Sequence, residues 1–386
     1  MVNKTTTKSR VALIPCETYD DTRVYQAVKQ GLELLGGVSH FVKPGENIIL
    51  KPNVLVGAAP EKCVCTHPSV LKAVGRLLKE SGVNLACGDS PAFGGTSINS
   101  RIAGLKQALD ELGIPLAGFS RGTAVSHKEG ILVKRFVIAD CVLAADGLVS
   151  LPKLKTHGLM RMTGAIKNQF GCIPGMLKSQ QHARMADPYN FAAMLVDLNT
   201  LLKPRLYIMD AIMAMEGNGP RNGRPRKIGA LLISSDPVAL DAVACKIINL
   251  NPAFVPTLAA GEKAGLGTYH HENIEVMGAN IEDFICRDFD VVRKPVEHAA
   301  SGVLMTFFKN QTNPKPVINK ALCTKCGICV RHCQVTPKAV DWVDGDQSRP
   351  PVHHYGRCIR CFCCQELCPE GAISVKNTLL SRLFFR

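Results

Sequence analysis

The 386-residue chain is poor in aromatic residues, at 5% with one Trp, and it has no aromatic-rich basic repeat. A formal net charge of +14 could suit a nucleic acid. Without such a repeat or a nucleic-acid motif, that partner is the least supported. No run approaches the roughly 18 uninterrupted apolar residues of a membrane helix. The best candidate, Ile138 to Leu151, is broken by Asp140 and Asp146, so no integral membrane segment is expected. Met1 to Arg10 are polar and basic, with no apolar stretch before Val11, and no secretory signal is predicted. Neither G-x-G-x-x-G nor a Walker loop occurs, and Gly94-Gly95 is no dinucleotide fingerprint. A nicotinamide held by this chain is therefore not expected. Disorder is disfavoured by a composition of 46% hydrophobic and 20% charged residues. The length leaves room for one large domain and one small one.

Cysteine is plentiful, with 17 in the chain. Eight near the C-terminus repeat one spacing twice: Cys323, Cys326, Cys329 and Cys333, then Cys358, Cys361, Cys364 and Cys368, the last followed by Pro369. A cubane [4Fe–4S] cluster needs four converging thiolates, and a C-x2-C-x2-C loop supplies three. The fourth cysteine of such a run usually ligates the other cluster. On that rule Cys323, Cys326, Cys329 and Cys368 hold one cluster, and Cys358, Cys361, Cys364 and Cys333 the other. A zinc ribbon would be satisfied by two C-x2-C pairs and leaves the remaining cysteines unexplained. A disulfide scaffold needs export. The expectation is two [4Fe–4S] clusters in a reducing cytoplasm, anaerobic or protected from oxygen. Bound thiolates and sulfide would offset part of the formal positive charge. The remainder favours an acidic substrate, an acidic electron partner or an anionic membrane.

Residues 318–377 resemble a bacterial-type two-cluster ferredoxin domain, the two halves aligning cysteine upon cysteine. Two departures stand out. Cys333 is followed by Gln334 rather than proline, with Pro337 arriving late before Lys338-Ala339-Val340, the counterpart of Ala372-Ile373-Ser374-Val375. Cys363 sits beside Cys364, so spacing alone selects Cys364 as the ligand. The polar, proline-interrupted segment at 309–317 reads as a linker, and 378–386 as a basic and apolar tail.

Before the linker, residues 1–308 read as alternating strands and helices: strand Val11 to Pro15, helix Thr22 to Leu35, strand Asn47 to Leu50, helix Val70 to Glu80, strand Val83 to Cys87. Further strands are predicted at Leu206 to Met209 and Gly229 to Ile233, with a helix from Pro237 to Ile248. Strand, helix, strand implies an α/β domain with a mostly parallel sheet and flanking helices. The small C-terminal domain is expected to be α+β.

Polar segments punctuate the strand ends: Lys51-Pro52-Asn53, His67-Pro68, Gly88-Asp89-Ser90-Pro91, Leu151-Pro152-Lys153-Leu154-Lys155-Thr156-His157, Lys167-Asn168, Glu216-Gly217-Asn218-Gly219-Pro220 and Ser235-Asp236-Pro237-Val238-Ala239-Leu240-Asp241. In this order they resemble the family called domain of unknown function 362, over most of residues 10 to 290. That resemblance implies an architecture, a pocket and frequent fusion to a ferredoxin domain, but no reaction.

Lysines and histidines concentrate between Leu151 and His182, interleaved with glycines that let backbone approach a ligand. Such cations suit a carboxylate or phosphate. Each lysine alone could be no more than part of a solvated loop. The candidate catalytic groups are Lys155, His157, Lys167, Asn168 and His182, with Lys155 and His157 binding an anionic group and supplying protons. Asp210 and Glu216 could bind a cation or act as acid and base, or serve only as cap and turn. Asp236 reads as an N-cap. Asp241 could face the pocket or pair with Lys246. Cys63, Cys65 and His67 form an incomplete metal fragment.

The expectation is an iron–sulfur oxidoreductase fed by an external low-potential donor and acting on an anionic small molecule. The alternative is a non-catalytic, cluster-carrying electron-transfer protein that docks a partner enzyme.

Overall fold

Strand β1 (Ser9–Pro15) alternates across two cores: Val11 and Leu13 bury on one face of the sheet, Ala12 and Ile14 on the other. The computed structural model describes residues 8–297 and 314–376, apart from 176 and 186. Helix α1 (Asp21–Leu34) begins where Asp20 accepts the Arg23 N–H at 2.9 Å. It stops at Gly36, whose φ of 105° glycine tolerates. Strand β2 (Asn47–Pro52), helix α2 (Pro68–Glu80) and strand β3 (Asn84–Cys87) follow. His67 caps α2 and Pro68 opens it, while Val70, Leu71, Val74, Leu77 and Leu78 form its buried stripe. Helices α3 (Thr96–Ile102) and α4 (Leu105–Leu112), the hairpin β4 (Gly122–Ser126) and β5 (Arg135–Ala139), and α5 (Asp140–Leu143) lead to β6 (Gly147–Leu151).

The segment expected to be a polar strand end is itself a strand, β7 (Lys153–His157), buried at every position. It turns into β8 (Arg161–Thr163) and then α6 (Ala165–Asn168), α7 (Leu177–Arg184) and α8 (Pro188–Leu202). The short strands expected near 206 and 229 are parts of one long hairpin, β9 (Leu206–Glu216) and β10 (Arg224–Ser234). Helix α9 (Pro237–Ile247), capped by Asp236 as expected, is followed by α10 (Pro256–Lys263) and β11 (Ile274–Gly278).

The central sheet runs β11-β1-β10-β9-β6-β2-β3. Its pairings are parallel except where β10 lies antiparallel between β1 and β9, and where β7 meets β8. One core packs α1, α2 and α4 on one face, and the other packs α8, α9 and α10 on the opposite face. β9 is long enough to pair first with β6 and then with β7, which places Lys153 opposite Asp210.

The C-terminal unit contains strands β12 (Lys315–Ile318), β13 (Val340–Asp341), β14 (Val352–His353) and β15 (Ile373–Lys376), with short helices at Ile328–Arg331 and Cys363–Leu367. β12 pairs with β15 and β13 with β14, both antiparallel. Lys315, Pro316 and Val317, expected in the linker, belong to a strand. Positions 309–313 of that linker, and the tail at 378–386, lie outside the described residues. Among the described residues no helix is long and apolar enough to cross a membrane.

The loop between β9 and β10 fastens the small unit to the large one. Arg221 Nη1 donates to Leu367 O at 2.7 Å and Asn222 Nδ2 to Cys368 O at 3.1 Å. Asn218 Nδ2 donates to Ile373 O at 3.2 Å, and Gln365 Nε2 to Asn218 Oδ1 at 2.7 Å. These bonds set the helix Cys363–Leu367 over the ends of β7 and α6.

Candidate functional site

A cleft of about 90 Å³ lies beneath that helix, bordered by Lys155, Lys167, Lys178, His182, Asp89 and Glu366, with Cys363 in its wall. One ordered water needs roughly 10–15 Å³, so the space suits a small molecule. The sheet supplies the floor, α6 and α7 one wall, and the small unit the roof.

Three buried lysines underlie the cleft region. Lys51 pairs with Asp89 at 2.7 Å, and Asp89 also accepts the Val54 N–H at 2.6 Å and the Ser90 N–H at 2.9 Å. Gly171 leaves room for this pair, since a Cβ there would come within 1.8 Å of Asp89 Oδ1. Lys153 pairs with Asp210 at 2.7 Å. Lys155 Nζ donates to two neutral acceptors, Asn53 Oδ1 and Val64 O, each at 2.7 Å. Burial lowers the Lys155 pKa from the ordinary 10.5 to about 7. A depressed folded-state pKa contributes stability that is complete above about 10.5 and lost as pH falls toward about 7. Lys155→Met will remove that term, so the gain in urea midpoint between pH 7 and pH 9 will be smaller than for the wild type.

Asn168 positions the acceptor of Lys155. Its Nδ2 donates to Ser150 Oγ at 2.9 Å and Lys51 O at 3.2 Å, and its Oδ1 accepts from Asn53 Nδ2 at 3.1 Å. Asn168 is thereby a positioning residue. His157 Nδ1 accepts the Leu159 and Met160 N–H groups at 3.1 and 3.2 Å, which leaves the ring proton on Nε2, 3.0 Å from Glu366 Oε1. Burial lowers the His157 pKa and favours this neutral form. Burial opposes the ionisation of Glu366, but the His157 contact and the Lys167 charge outweigh it, and the carboxyl is held well below its usual range. The pair thus joins the large unit to the roof.

Lys155 and His157, expected as strand-end groups, both lie buried on β7, where His157 is the last residue and meets Glu366 of the roof, and Lys155 lines the cleft while donating to Asn53 and Val64. Lys167 is different. Half-buried, with Nζ 5.9 Å from the Phe170 ring centre, it has no hydrogen-bonding or ion-pair acceptor among the described residues. His182 stacks on Phe191 with centroids 4.2 Å apart, and burial depresses its pKa to about 3. Its Nδ1 is buried with no hydrogen-bond partner among the described residues. Lys178 donates to Ser90 Oγ at 2.5 Å and Ile173 O at 3.1 Å, and burial lowers its pKa to about 8.

Other candidates prove architectural. Asp210 accepts from Tyr19 Oη at 2.9 Å and the His67 N–H at 3.0 Å besides pairing with Lys153, which removes it from acid–base or cation-binding work. Glu216 accepts the Asp290 N–H at 3.0 Å and meets Arg224 at 3.3 Å. Asp241 neither faces the cleft nor pairs with Lys246. It accepts the Ala165 and Ile166 N–H groups at 2.7 and 3.2 Å, while Lys246 meets Glu282 at 2.7 Å. Cys63 and Cys65 point their thiols at the Glu61 and Val56 carbonyls, and His67 stacks on Tyr19 with ring centroids 3.5 Å apart.

In the small unit Cys323, Cys326, Cys329 and Cys368 line one cavity. Cys333, Cys358, Cys361 and Cys364 line a second, whose wall also includes Cys363. Among the described residues, no three His, Cys, Asp or Glu side chains are grouped to hold a single metal ion. Sequence reasoning missed Glu366 and Cys363 as cleft residues because nothing local marks them. Lys51, Asn53 and Asp89 carried a signal, since each stands in a polar segment at a strand end.

Fold and site together define a two-part α/β protein: a large unit with a lysine-rich cleft at its strand ends, roofed by a small cysteine-rich unit. The chain belongs to the domain of unknown function 362 family, whose model matches residues 48–246 and so takes in every cleft residue of the large unit. Over 260 residues it is 40% identical to a protein from Synechocystis sp. named thylakoid-associated protein, covering 66% of this chain and 79% of that one. Among solved structures it is similar to the lactate racemase apoprotein from Thermoanaerobacterium thermosaccharolyticum, with a TM-score of 0.40 at 12% identity over 61% of this chain. A Thermotoga maritima protein gives 0.32 at 14% over 62% of this chain. The matches span 56% and 57% of those two solved chains.

Proposed function

We propose that the protein is an iron–sulfur-dependent oxidoreductase that reduces an anionic small molecule in the lysine-lined cleft. The observation carrying this reading is a shared wall: Cys363 borders both the cleft and the cavity of Cys333, Cys358, Cys361 and Cys364. The donor chemistry fits two [4Fe–4S] clusters. Each cavity is lined by three thiols from one C-x2-C-x2-C run and one from the other run, as in two-cluster ferredoxins, with Cys363 as a fifth thiol in the second. When bound, the clusters would supply single electrons obtained from an external low-potential donor.

The chain's own residues divide the remaining work. Lys167, the cleft cation without an acceptor, binds the anionic group. Neutral His182 presents its ring beside Phe170, and Lys178 holds Ser90 at the rim. The His157–Glu366 contact keeps the roof seated and water out. Proton supply falls to Lys155, whose burial brings its pKa near neutrality. The reducing compartment such a protein needs is the cytoplasm. The name of the Synechocystis relative adds a membrane surface as a place of association, for which the charge of +14 is suited.

Anaerobic purification with iron and sulfide analysis tests the cluster assignment, and about eight irons per chain are expected. Zinc with little iron would overturn it. Chemically reduced protein is then mixed with a set of small carboxylates and phosphates. One will be consumed, and Lys167→Gln will slow its consumption by about 10- to 100-fold with iron unchanged, the worth of a hydrogen bond to a charged group. A cluster-carrying accessory protein would instead consume nothing and pass electrons equally well with glutamine at position 167.

A further inference from the structure

Lys155 differs from its two buried neighbours. Lys51 and Lys153 each meet a carboxylate at 2.7 Å, whereas Lys155 has no carboxylate within ion-pair distance among the described residues. Its two partners, Asn53 Oδ1 and Val64 O, are neutral. An ammonium offers three donors and no acceptor. A neutral amine offers two donors and one lone pair, so two acceptors satisfy its N–H bonds and leave the lone pair unused. The charged groups acting on Lys155 are Lys153 and Lys167, which oppose its protonation, and Asp89, which favours it more weakly than burial disfavours it; the buried Cys65 thiol would favour it only when ionised. Desolvation beside other cations is the setting in which a lysine becomes a nucleophile. Lys155 and Lys167 line the same cleft.

We infer that Lys155 is a nucleophilic amine that condenses with the carbonyl carbon of a small oxo acid whose carboxylate rests on Lys167. This deepens the proposed function and rests on its reading of the cleft as the substrate site. The Nζ lone pair forms the C–N bond. The carbonyl oxygen leaves as water with both amine protons, a C=N bond replaces C=O, and no electrons are exchanged. An imine in equilibrium with its protonated form accepts electrons more readily than the parent carbonyl, which links this step to reduction.

The test treats anaerobically purified, full-length protein with glyoxylate and cyanoborohydride at pH 7, then maps carboxymethylation by peptide mass spectrometry. With a pKa of about 7 against an ordinary 10.5, the deprotonated fraction of Lys155 exceeds that of a surface lysine by roughly a thousandfold. One carboxymethyl group per chain is expected at Lys155 before surface sites react, and none there in Lys155→Arg. In Lys167→Gln, glyoxylate labelling of Lys155 will fall about tenfold while labelling by uncharged propionaldehyde persists, as expected for one lost charge-assisted contact. That variant keeps the inference testable should Lys155→Arg fold poorly. Labelling of Lys155 no faster than that of surface lysines, or equal loss with both aldehydes, overturns it. Iron and sulfide measured on the same sample separate the two ideas. Full iron with unmodified Lys155 sinks the imine alone. Modified Lys155 without iron sinks the cluster assignment and leaves the imine standing.

Discussion

Exchanging Asp210 for Asn will destabilise the large unit by about 3–5 kcal/mol, the usual cost of leaving one member of a buried ion pair uncompensated. Asp210 has 0% of its surface exposed and gathers four donors, three of them from distant parts of the chain. They are Lys153 Nζ at 2.7 Å, Tyr19 Oη at 2.9 Å, and the backbone N–H groups of His67 at 3.0 Å and Ile212 at 3.3 Å. Asparagine preserves the shape but turns one oxygen into a donor that faces other donors, and Lys153 is left charged in an apolar interior. Lys153 also donates to Tyr19 Oη at 2.8 Å, so the damage spreads into the first loop. Urea denaturation read on the large unit will show the loss as a lowered midpoint with little change in slope. The double variant Asp210→Asn with Lys153→Met will recover most of it, because removing both charges also removes the desolvation cost. A double variant no more stable than the single one would show that Asp210 acts through its backbone contacts rather than through the ion pair.

This network also shows where reading the sequence stops. The strand at Val11 to Pro15, the helix near Val70 to Glu80 and the cap at Asp236 were legible, since each rests on neighbours within a few positions. Lys153-Leu154-Lys155-Thr156-His157 was not, although its alternation has strand period. Three basic residues in five suggest solvent, and only remote partners permit burial: Asp210 for Lys153, Asn53 and Val64 for Lys155, Glu366 for His157. None of these lies near β7 in sequence. The β9–β10 hairpin was shortened for a related reason. Asp210 and Glu216 both looked like strand ends; Glu216 does end β9, beside Asp290 and Arg224, whereas Asp210 lies inside the strand, neutralised across the sheet by Lys153. The roof over the cleft depends on Asn218, Arg221 and Asn222 meeting Gln365, Leu367 and Cys368, contacts no local pattern encodes. By contrast, the two cysteine sets could be written from spacing, because a repeated short loop carries its own geometry.

Under the proposed function, Cys364→Ser will lower iron from about eight to about four per chain, whereas Cys363→Ser will keep the full complement. The two neighbours are adjacent in sequence but not in chemistry. Cys364 continues the spacing from Cys358 and Cys361, and its Sγ lies 3.5 Å from His353 Nε2. The opposing cysteine of that cavity, Cys333, accepts the Ala339 N–H at 3.3 Å. Such N–H groups aimed at sulfur stabilise thiolate. Cys363 stands outside that spacing and borders the cleft as well, where its charge when ionised would act on Lys167. Cys363→Ser should therefore leave iron and sulfide intact while changing binding of the anionic substrate, and Cys364→Ser should do the reverse. Iron lost from Cys363→Ser and retained in Cys364→Ser would exchange the two roles. The cleft would then be walled by a ligand, and Lys167 would sit beside a cluster rather than beside a free thiol.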